Sequence, residues 1–373
     1  MEKHFPGKLA IQQRVLPPYR AAFFDLLAAA CDGGLSVFAG RPRPGEAIAP
    51  GELRTAGFTP ARNLHLLGGP LYACWQGGLP GWLVRWDPDA LVVEANPRYL
   101  ATPAALDWME RRGRPVVGWG LGAPAPSGPL AGLRHSRRLA FVRRFDALIT
   151  YSRRGADEYA ALGYPAGRIF VAPNAAVPRP LTPPPVRPAA FEGRPTVLFV
   201  GRLQARKRLD DLLRACALLP DELQPRLLIV GDGPQGGNLK ELAAQVYPRA
   251  EFPGARRGRE LAPFFAAADL FVLPGTGGLA VQEAMSAGLP VIVGQGDGTN
   301  DDLVRPASRT SPGNGWQLAE EGVPTLAETL RRALASASRL RRMGAVSYRI
   351  VAGEVNLEKM VEVFVDVLNG LKK

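Results

Sequence analysis

Glycine and basic residues follow an apolar, strand-like run in the second half of the chain. The run TVLFV ends at Gly201, and Arg202, Arg206 and Lys207 come directly afterwards. A glycine turn with cations at a helix start suits an anion, and two cations can hold two linked phosphates. The pattern therefore indicates a diphosphate site, although a solvated basic helix end gives the same pattern.

Two more loops have this arrangement. An apolar run ends at Gly231, and another leads into a turn with Gly277 and Gly278, ahead of Glu283. Unhindered amide groups at such a turn suit a diphosphate, and a carboxylate can accept hydrogen bonds from ribose hydroxyls. Glu283 could also serve only to complement the helix dipole.

These loops require a scaffold of parallel strands. Short apolar runs alternate with longer amphipathic stretches, which is typical of βα units and of a parallel sheet covered by helices. Ligands collect beyond the carboxyl ends of such strands. A proline-rich stretch from Pro173 to Pro195 interrupts the alternation and is interpreted as a semi-rigid linker.

We predict two Rossmann-like α/β domains, the first over residues 1–180 and the second over residues 190–345. The segment from Val346 onward has an apolar helical face. It is predicted to form one long terminal helix, about 346–373, that returns to the first domain.

Composition agrees with a folded protein that has an anionic partner. The 373 residues are 46% hydrophobic and 21% charged, and the formal net charge is +12. Residues 1–185 contain 22 Lys and Arg against 13 Asp and Glu, whereas the remainder contains 24 against 21. The excess positive charge lies in the first half, which fits nucleic acid, a membrane surface or a phosphorylated ligand.

The remaining sequence features favour a cytoplasmic protein. The three cysteines are scattered in apolar surroundings, so reduced buried thiols are expected, with no disulfide and no metal site. The apolar stretch from Leu71 to Trp86 is interrupted by glycines and a proline, so it could touch a membrane but could not cross it. Its residues Trp75, Trp82 and Trp86 are interpreted as core.

Four ordered motifs resemble one family. GRL with a following Lys, then IVGDGP, then EFPG with FFAAADLFVLP, then GGLAVQEAMSAGLPV are similar to the retaining glycosyltransferases of family four, also called group 1, from about Pro195 to Val293. More loosely, PYRAAFFDLLAA, PVVGWG and FDALITYS resemble the acceptor half of bacterial members that build surface polysaccharides and glycolipids. The resemblance implies the GT-B fold, in which two Rossmann-like domains with parallel sheets face each other across a cleft.

The resemblance also implies residue roles. Arg202 and Lys207 would hold the donor diphosphate and offset charge on the leaving nucleotide. Glu283 would bind the ribose. The glycine-rich turns would approach the phosphates, and the base would lie near the loop after EFPG. The resemblance thus implies that the donor site also includes Gly201, Gly231, Ala255, Arg256, Gly277, Gly278 and Leu279.

Two positions depart from the family pattern. The family's first glutamate, eight residues before the ribose glutamate and in contact with the transferred sugar, is replaced by Gly275. The histidine that many members carry after the strand PVVGWG is also missing. We therefore expect altered sugar recognition and name no catalytic histidine.

Acceptor residues are expected in the first domain at strand-to-helix turns. Tyr19, Arg20, Glu94, Asn96 and Trp119 are the candidates, and the first four could equally be cap or turn residues. Further along, four arginines are predicted to share one face of a helix that could contact anionic lipid: Arg134, Arg137, Arg138 and Arg144.

The expected function is retaining transfer of a sugar from a UDP- or GDP-linked donor to a glycan or lipid-linked acceptor. No cofactor, metal or nucleic acid is expected, and the protein is expected in the cytoplasm or on the inner face of the membrane. Three alternatives stay open: a non-catalytic GT-B protein that binds a nucleotide sugar, a nucleic-acid-binding protein, and another GT-B enzyme such as an epimerase or a phosphorylase.

Overall fold

The computed structural model describes residues 3–371 except 44, 45, 47, 48, 297 and 299. The chain divides into two compact units. Unit 1 comprises the residues up to Ala176 and those from Leu357 onward, and unit 2 is Val177–Asn356. Each unit has its own apolar core. No helix in this described part of the chain combines the length and apolarity needed to span a bilayer.

Unit 1 contains an eight-stranded sheet in the order β4-β3-β2-β1-β5-β6-β7-β8, parallel except for the β3–β4 pair. Its strands are β1 (Leu9–Val15), β2 (Leu35–Gly40), β3 (Gly57–Leu66), β4 (Ala73–Gly77), β5 (Ala90–Glu94), β6 (Val116–Gly120), β7 (Ala147–Thr150) and β8 (Ile169–Val171). Its first five helices are α1 (Pro18–Ala29), α2 (Leu79–Trp86), α3 (Thr102–Glu110), α4 (Ala131–Val142) and α5 (Arg153–Leu162).

Unit 2 contains a six-stranded parallel sheet in the order β11-β10-β9-β12-β13-β14. Its strands are β9 (Thr196–Val200), β10 (Arg226–Val230), β11 (Ala250–Gly254), β12 (Leu270–Leu273), β13 (Val291–Val293) and β14 (Gly315–Gln317). Its helices are α6 (Leu209–Ala217), α7 (Gly236–Val246), α8 (Ala262–Ala267), α9 (Leu279–Ser286), α10 (Val323–Leu334) and α11 (Ala337–Gly353). The last helix of the chain, α12 (Leu357–Gly370), belongs to unit 1.

Both faces of the central strands are buried, which explains their nearly uninterrupted apolar sequence. In β5, Ala90 and Val92 face the core under α1 and α12, while Leu91 and Val93 face the core under α2 and α3. The ring of Phe364 on α12 lies 5.0 Å from that of Phe23 on α1, measured between centroids. The last helix therefore returns to the first unit, as the sequence predicted.

The prediction of one helix from Val346 onward is wrong. Residues 346–353 complete α11 in unit 2, and only α12 joins unit 1. Between the two helices, the Asn356 side chain donates to the carbonyl of Val351 at 2.7 Å and so ends α11. Because apolar residues occupy both helices, their pattern conceals this break.

Arg187 anchors the proline-rich stretch to unit 2. Its guanidinium donates to the carbonyls of Phe265 at 2.7 Å, Ala268 at 2.8 Å and Ala287 at 2.9 Å. These carbonyls lie at the carboxyl ends of α8 and α9, where helices leave acceptors unpaired. The part of the stretch that carries Arg187 is thus fixed to unit 2 and is not a simple spacer.

Replacing Arg187 should destabilise unit 2. We expect Arg187→Ala to lower the free energy of unfolding by about 2–4 kcal/mol, because partly buried carbonyls lose charge-assisted hydrogen bonds. Chemical denaturation would measure the change, with Arg259→Ala, at an exposed arginine of the same unit, as the matched control. Equal stability of the two variants would contradict the anchoring role.

Candidate functional site

In unit 2, the loops after β9 and β10 are joined by their backbones. The amide of Leu203 donates to the carbonyl of Asp232 at 2.9 Å. A Cβ at Gly231 would lie 1.8 Å from the Gly201 oxygen, and one at Gly233 would lie 2.4 Å from the Leu203 oxygen. Only glycine permits this approach, so the two turns form a single surface.

The loop after β12 closes on the same surface through a buried lysine. Lys207 is 7% exposed, and its Nζ donates to the Thr276 carbonyl at 2.7 Å. The Thr276 amide donates in turn to the Arg206 carbonyl at 3.0 Å. A Cβ at Gly277 would lie 3.2 Å from Lys207 Nζ. The sequence-predicted cation and glycine-rich turn are therefore adjacent.

Helix α9 begins at this turn. Gly277 and Gly278 have φ values of +78° and +139°, which favour glycine, and the helix starts at Leu279. Amides at a helix start have no intrahelical acceptor, which suits an anion. Glu283 lies one turn later on the side of Leu279, half-buried, and burial raises the pKa of its carboxyl group.

The other donor-site candidates lie at the same edge of the sheet. Arg202 is exposed on the loop after β9. Ala255 and Arg256 are exposed directly after β11, and the Gly231 amide donates to the Gly254 carbonyl at 3.0 Å. Because β11, β10, β9 and β12 are consecutive neighbours, all these turns are at the carboxyl edge of one sheet.

Gly275 is tightly enclosed. A Cβ there would lie 2.1 Å from the Arg206 carbonyl oxygen and 2.7 Å from the Lys207 Cα. In this loop conformation, a glutamate at residue 275 would displace the segment that carries Lys207. The missing first glutamate and the close approach of this loop to Arg206 and Lys207 are thus parts of one local arrangement.

In unit 1, Glu94 lies at the carboxyl end of β5. Its Oε2 accepts from the Arg14 amide at 2.6 Å, and its own amide donates to Gln12 Oε1 at 3.3 Å. Burial raises the pKa of Glu94 to about 7, although the hydrogen bond from Arg14 opposes that shift. A carboxyl group that titrates near neutrality can both accept and donate hydrogen bonds.

A cavity of about 350 Å³ lies beside Glu94, and Asn96 also lines it. The side-chain oxygen of Asn96 accepts from the Arg98 amide at 3.1 Å, so Asn96 shapes the turn after β5. Tyr99 and Tyr151 line the cavity too. Neither tyrosine was identified from sequence. Tyr151 could have been found, because it directly follows β7 and so lies at the carboxyl end of a strand, as Glu94 does in β5.

Arg20 is buried among aromatic rings. It is 3% exposed, and its guanidinium carbon lies 4.8 Å from the ring centroid of Trp119, 5.0 Å from Tyr151 and 5.2 Å from Tyr19. Trp119 itself is 1% exposed. Its ring packs on Phe23, Phe24 and Phe364. Trp119 therefore positions Arg20 from within the core, whereas Tyr19 is exposed.

The predicted basic stripe does not form as expected. Helix α4 ends at Val142, so Arg144 lies outside it and forms an ion pair with Asp107. Arg138 donates to the Pro124 carbonyl at 2.6 Å, and Arg134 donates to the Ser127 carbonyl. These arginines hold the segment before α4.

Two family models and several relatives match the chain. A model described as "Glycosyl transferases group 1" matches residues 185–349, and one described as "Glycosyl transferase 4-like domain" matches residues 21–175. A GDP-mannose-dependent alpha-mannosyltransferase of Mycolicibacterium smegmatis is 44% identical over 118 residues, which are 31% of this chain and 29% of that protein.

A second relative is named a GDP-mannose-dependent monoacylated alpha-(1-6)-phosphatidylinositol monomannoside mannosyltransferase. It comes from Corynebacterium glutamicum and is 31% identical over 190 residues, which are 47% of each chain. The chain thus spans less than half the length of these curated relatives. Among solved structures, Anabaena HepE in complex with UDP is similar at a TM-score of 0.71 and 16% identity, over 97% of this chain and 99% of that chain. The predicted GT-B fold is thereby confirmed.

The Glu94 carboxyl group should make stability depend on pH. The folded chain holds this proton up to a pKa of about 7, whereas the ordinary value is 4.5, so the folded state binds more protons between these values. Its contribution is therefore complete below about pH 4.5 and decreases as pH rises through 7. Relative to Glu94→Gln, we expect the wild type to lose roughly 2–3 kcal/mol between pH 4.5 and pH 8.

Denaturation of both proteins across that pH range measures the difference. Parallel stability curves for the wild type and Glu94→Gln would show that Glu94 is ionised normally.

Because Gly275 is tightly enclosed and Gly237 is not, we expect alanine substitution to change the stability of the protein differently at these two positions. Gly275→Ala should lower the free energy of unfolding by about 1–3 kcal/mol, because the backbone at Arg206 must move. Gly237→Ala, in α7 with nothing near its Cβ position, is the matched control and should be neutral or stabilising. A neutral result at Gly275 in denaturant titrations would refute the tight contact.

Proposed function

Because the chain belongs to the group 1 glycosyl transferases, we propose that it transfers a sugar from a nucleotide diphosphate sugar to a glycan or lipid-linked acceptor, with retention of configuration. The observation that carries this proposal is the contact of Lys207 with the glycine-rich turn at the start of α9. A cation and helix-start amides together match the negative charge of a diphosphate.

In the donor site, the diphosphate lies against Lys207 and the amides near Gly278 and Leu279. Arg202 extends from the adjacent loop, where its exposure leaves it accessible to a ligand. As the bond from sugar to phosphate breaks, negative charge grows on the leaving diphosphate. The two cations are already in position to stabilise it, which lowers the barrier.

The rest of the nucleotide is assigned along the same sheet edge. Glu283 accepts hydrogen bonds from the ribose, and the base lies near Ala255 and Arg256. We propose a GDP- or UDP-linked donor, supported by the relatives named for GDP-mannose and by the HepE complex with UDP. Gly275 leaves no side chain where the family's first glutamate contacts the sugar, so recognition of the sugar differs from the family pattern.

The acceptor site is assigned to the cavity of unit 1. Glu94 and Asn96 line it, while Tyr19 and Arg20 lie in the first turn of α1, directly after β1. Carboxyl, amide and phenol groups can orient a sugar hydroxyl by hydrogen bonding. The acceptor hydroxyl attacks on the face that the diphosphate leaves, and the departing phosphate takes its proton. Transfer then requires charge stabilisation and positioning, with no cofactor and no metal ion.

A lipid-linked acceptor is supported by the relative named as a phosphatidylinositol monomannoside mannosyltransferase. It also agrees with the excess of basic residues in the first half of the chain. Nucleotide sugars are cytoplasmic substrates in this proposal, and the acceptor is reached at the inner face of the membrane.

The donor assignment is tested by turnover of radiolabelled GDP-mannose and UDP-glucose, with transfer and donor hydrolysis both measured. We expect Arg202→Ala to lower turnover by roughly two to three powers of ten without loss of fold, because one contact that stabilises the transition state is removed. Lys240→Ala, at an exposed lysine within α7, is the control and should retain full turnover. Near-normal turnover of Arg202→Ala would contradict the phosphate-site assignment, and binding without turnover in the wild type would favour a non-catalytic protein.

A further inference from the structure

Five large apolar side chains are exposed on the β3–β4 hairpin. Their exposed fractions are 49% for Phe58, 56% for Leu64, 75% for Leu67, 73% for Leu71 and 46% for Trp75. We call these five residues the hairpin surface. Single exposed apolar residues are ordinary, but five within one hairpin form a patch of the kind that binds a partner. The sequence-based assignment of Trp75 to the core is therefore wrong.

Strand geometry explains why the three side chains on strands, those of Phe58, Leu64 and Trp75, are uncovered. Leu64 pairs directly with Trp75 across the antiparallel ladder, so both point to one face, and Phe58 shares it by period-two alternation. Phe58 is in register with Val37 of β2, which lies in the core under α1. Helix α1 covers that face at β2, but on β3 and β4 the same face is uncovered, and Phe58, Leu64 and Trp75 are exposed there.

The opposite face of the same strands is closed. Ala61, Cys74 and Gln76 are at most 9% exposed, and Gln76 Nε2 donates to the Gln13 carbonyl at 3.0 Å. The exposed apolar face is therefore not a sign of a loosely packed edge. One face of the hairpin belongs to the core of unit 1, and the other presents aliphatic and aromatic groups to solvent.

The charged side chains within residues 53–86 are all positive, and the Asp25 carboxylate, which accepts from the Arg54 and Thr55 amides just before β3, is the acidic group beside this segment. Residues 53–86 contain no Asp or Glu. Arg62 is exposed on the face that carries Phe58 and Leu64. Arg98 is exposed beside β4, where its carbonyl accepts from the Cys74 amide at 2.9 Å. An apolar patch with basic neighbours complements a membrane that has an apolar interior and anionic headgroups.

We propose that the hairpin surface docks unit 1 onto an anionic lipid bilayer. The leucine and phenylalanine side chains enter the boundary between headgroups and acyl chains, and Trp75 lies at the headgroup level, where indole rings are favoured. Arg62 and Arg98 contact lipid phosphates. A second copy of the chain fits less well, because two copies of the hairpin facing each other would present only basic side chains from residues 53–86, with no acidic residue in that segment to pair with them.

This surface differs from the α4 helix, which sequence analysis linked to anionic lipid. Docking extends the proposed function, since it would bring the enzyme to lipid-linked acceptors. It can nevertheless be measured without any sugar transfer, so failure of one proposal is distinguishable from failure of the other.

The test is co-sedimentation of the full chain with phosphatidylcholine vesicles, with and without phosphatidylglycerol. We expect the wild type to bind the anionic vesicles and to bind neutral ones much less. The double variant Leu64→Ser/Trp75→Ser should lower the partition coefficient by at least about tenfold, because two apolar side chains no longer leave water. Leu67→Asp should have a similar effect from a position with 75% exposure, where misfolding is not expected.

Two controls locate the effect. Leu218→Ser removes an exposed leucine of unit 2, and Leu133→Ser removes one from α4, so both should bind as the wild type does. Donor hydrolysis should be unchanged in every variant. The proposal is overturned if the wild type does not bind anionic vesicles, or if the hairpin variants bind equally well. It is also overturned if only Leu133→Ser loses binding, or if ultracentrifugation shows a wild-type dimer that the hairpin variants abolish.

Discussion

The loops at the carboxyl edge of the unit 2 sheet depend on one contact, the hydrogen bond from the Lys207 ammonium to the Thr276 carbonyl. It holds the loop after β9 against the turn that starts α9, and it places a buried positive charge among backbone amides. Side chains on Gly231, Gly233 or Gly275 would separate these loops, since each Cβ would meet a backbone oxygen at 2.4 Å or less. Glycine is therefore required at these positions, because the backbones of neighbouring loops approach each other closely there. The same close approach brings the cations of these loops onto one surface.

The two units follow the same structural rule with different chemistry. In each, the functional candidates lie where parallel strands end, because side chains and amides from neighbouring loops converge there. Unit 2 uses cations and main-chain amides, which suit a diphosphate. Unit 1 instead encloses a carboxyl group, Glu94, and a guanidinium, Arg20, whose position is set by Trp119 and Tyr151. Such an arrangement suits the orientation of neutral hydroxyl groups, because burial raises the pKa of Glu94 to about 7 and its carboxyl group can then both donate and accept hydrogen bonds.

Much of this architecture could be predicted from sequence where local signals were strong. The strand β9 has the predicted bounds, since TVLFV is a short apolar run that ends in a clear turn. The break between α11 and α12 was missed because the apolar pattern continues across it. The anchoring of Arg187 and the exposure of Trp75 depend on which distant elements cover a residue. The glycine-rich loops were predicted from sequence. The position of Tyr151 at the cavity of unit 1 could be recognised only from the structure, in which β7 pairs with β6.

Binding of a nucleotide's diphosphate by unit 2, through Lys207 and the adjoining turn, is the proposal on which the function rests. Its most direct test is calorimetric titration of the wild type and of Lys207→Met with UDP, GDP and the corresponding monophosphates. We expect one diphosphate to bind at least about tenfold more tightly than its monophosphate, and Lys207→Met to reduce this difference while the chain stays folded. Equal affinity for mono- and diphosphates, or no binding of any nucleotide, would contradict it.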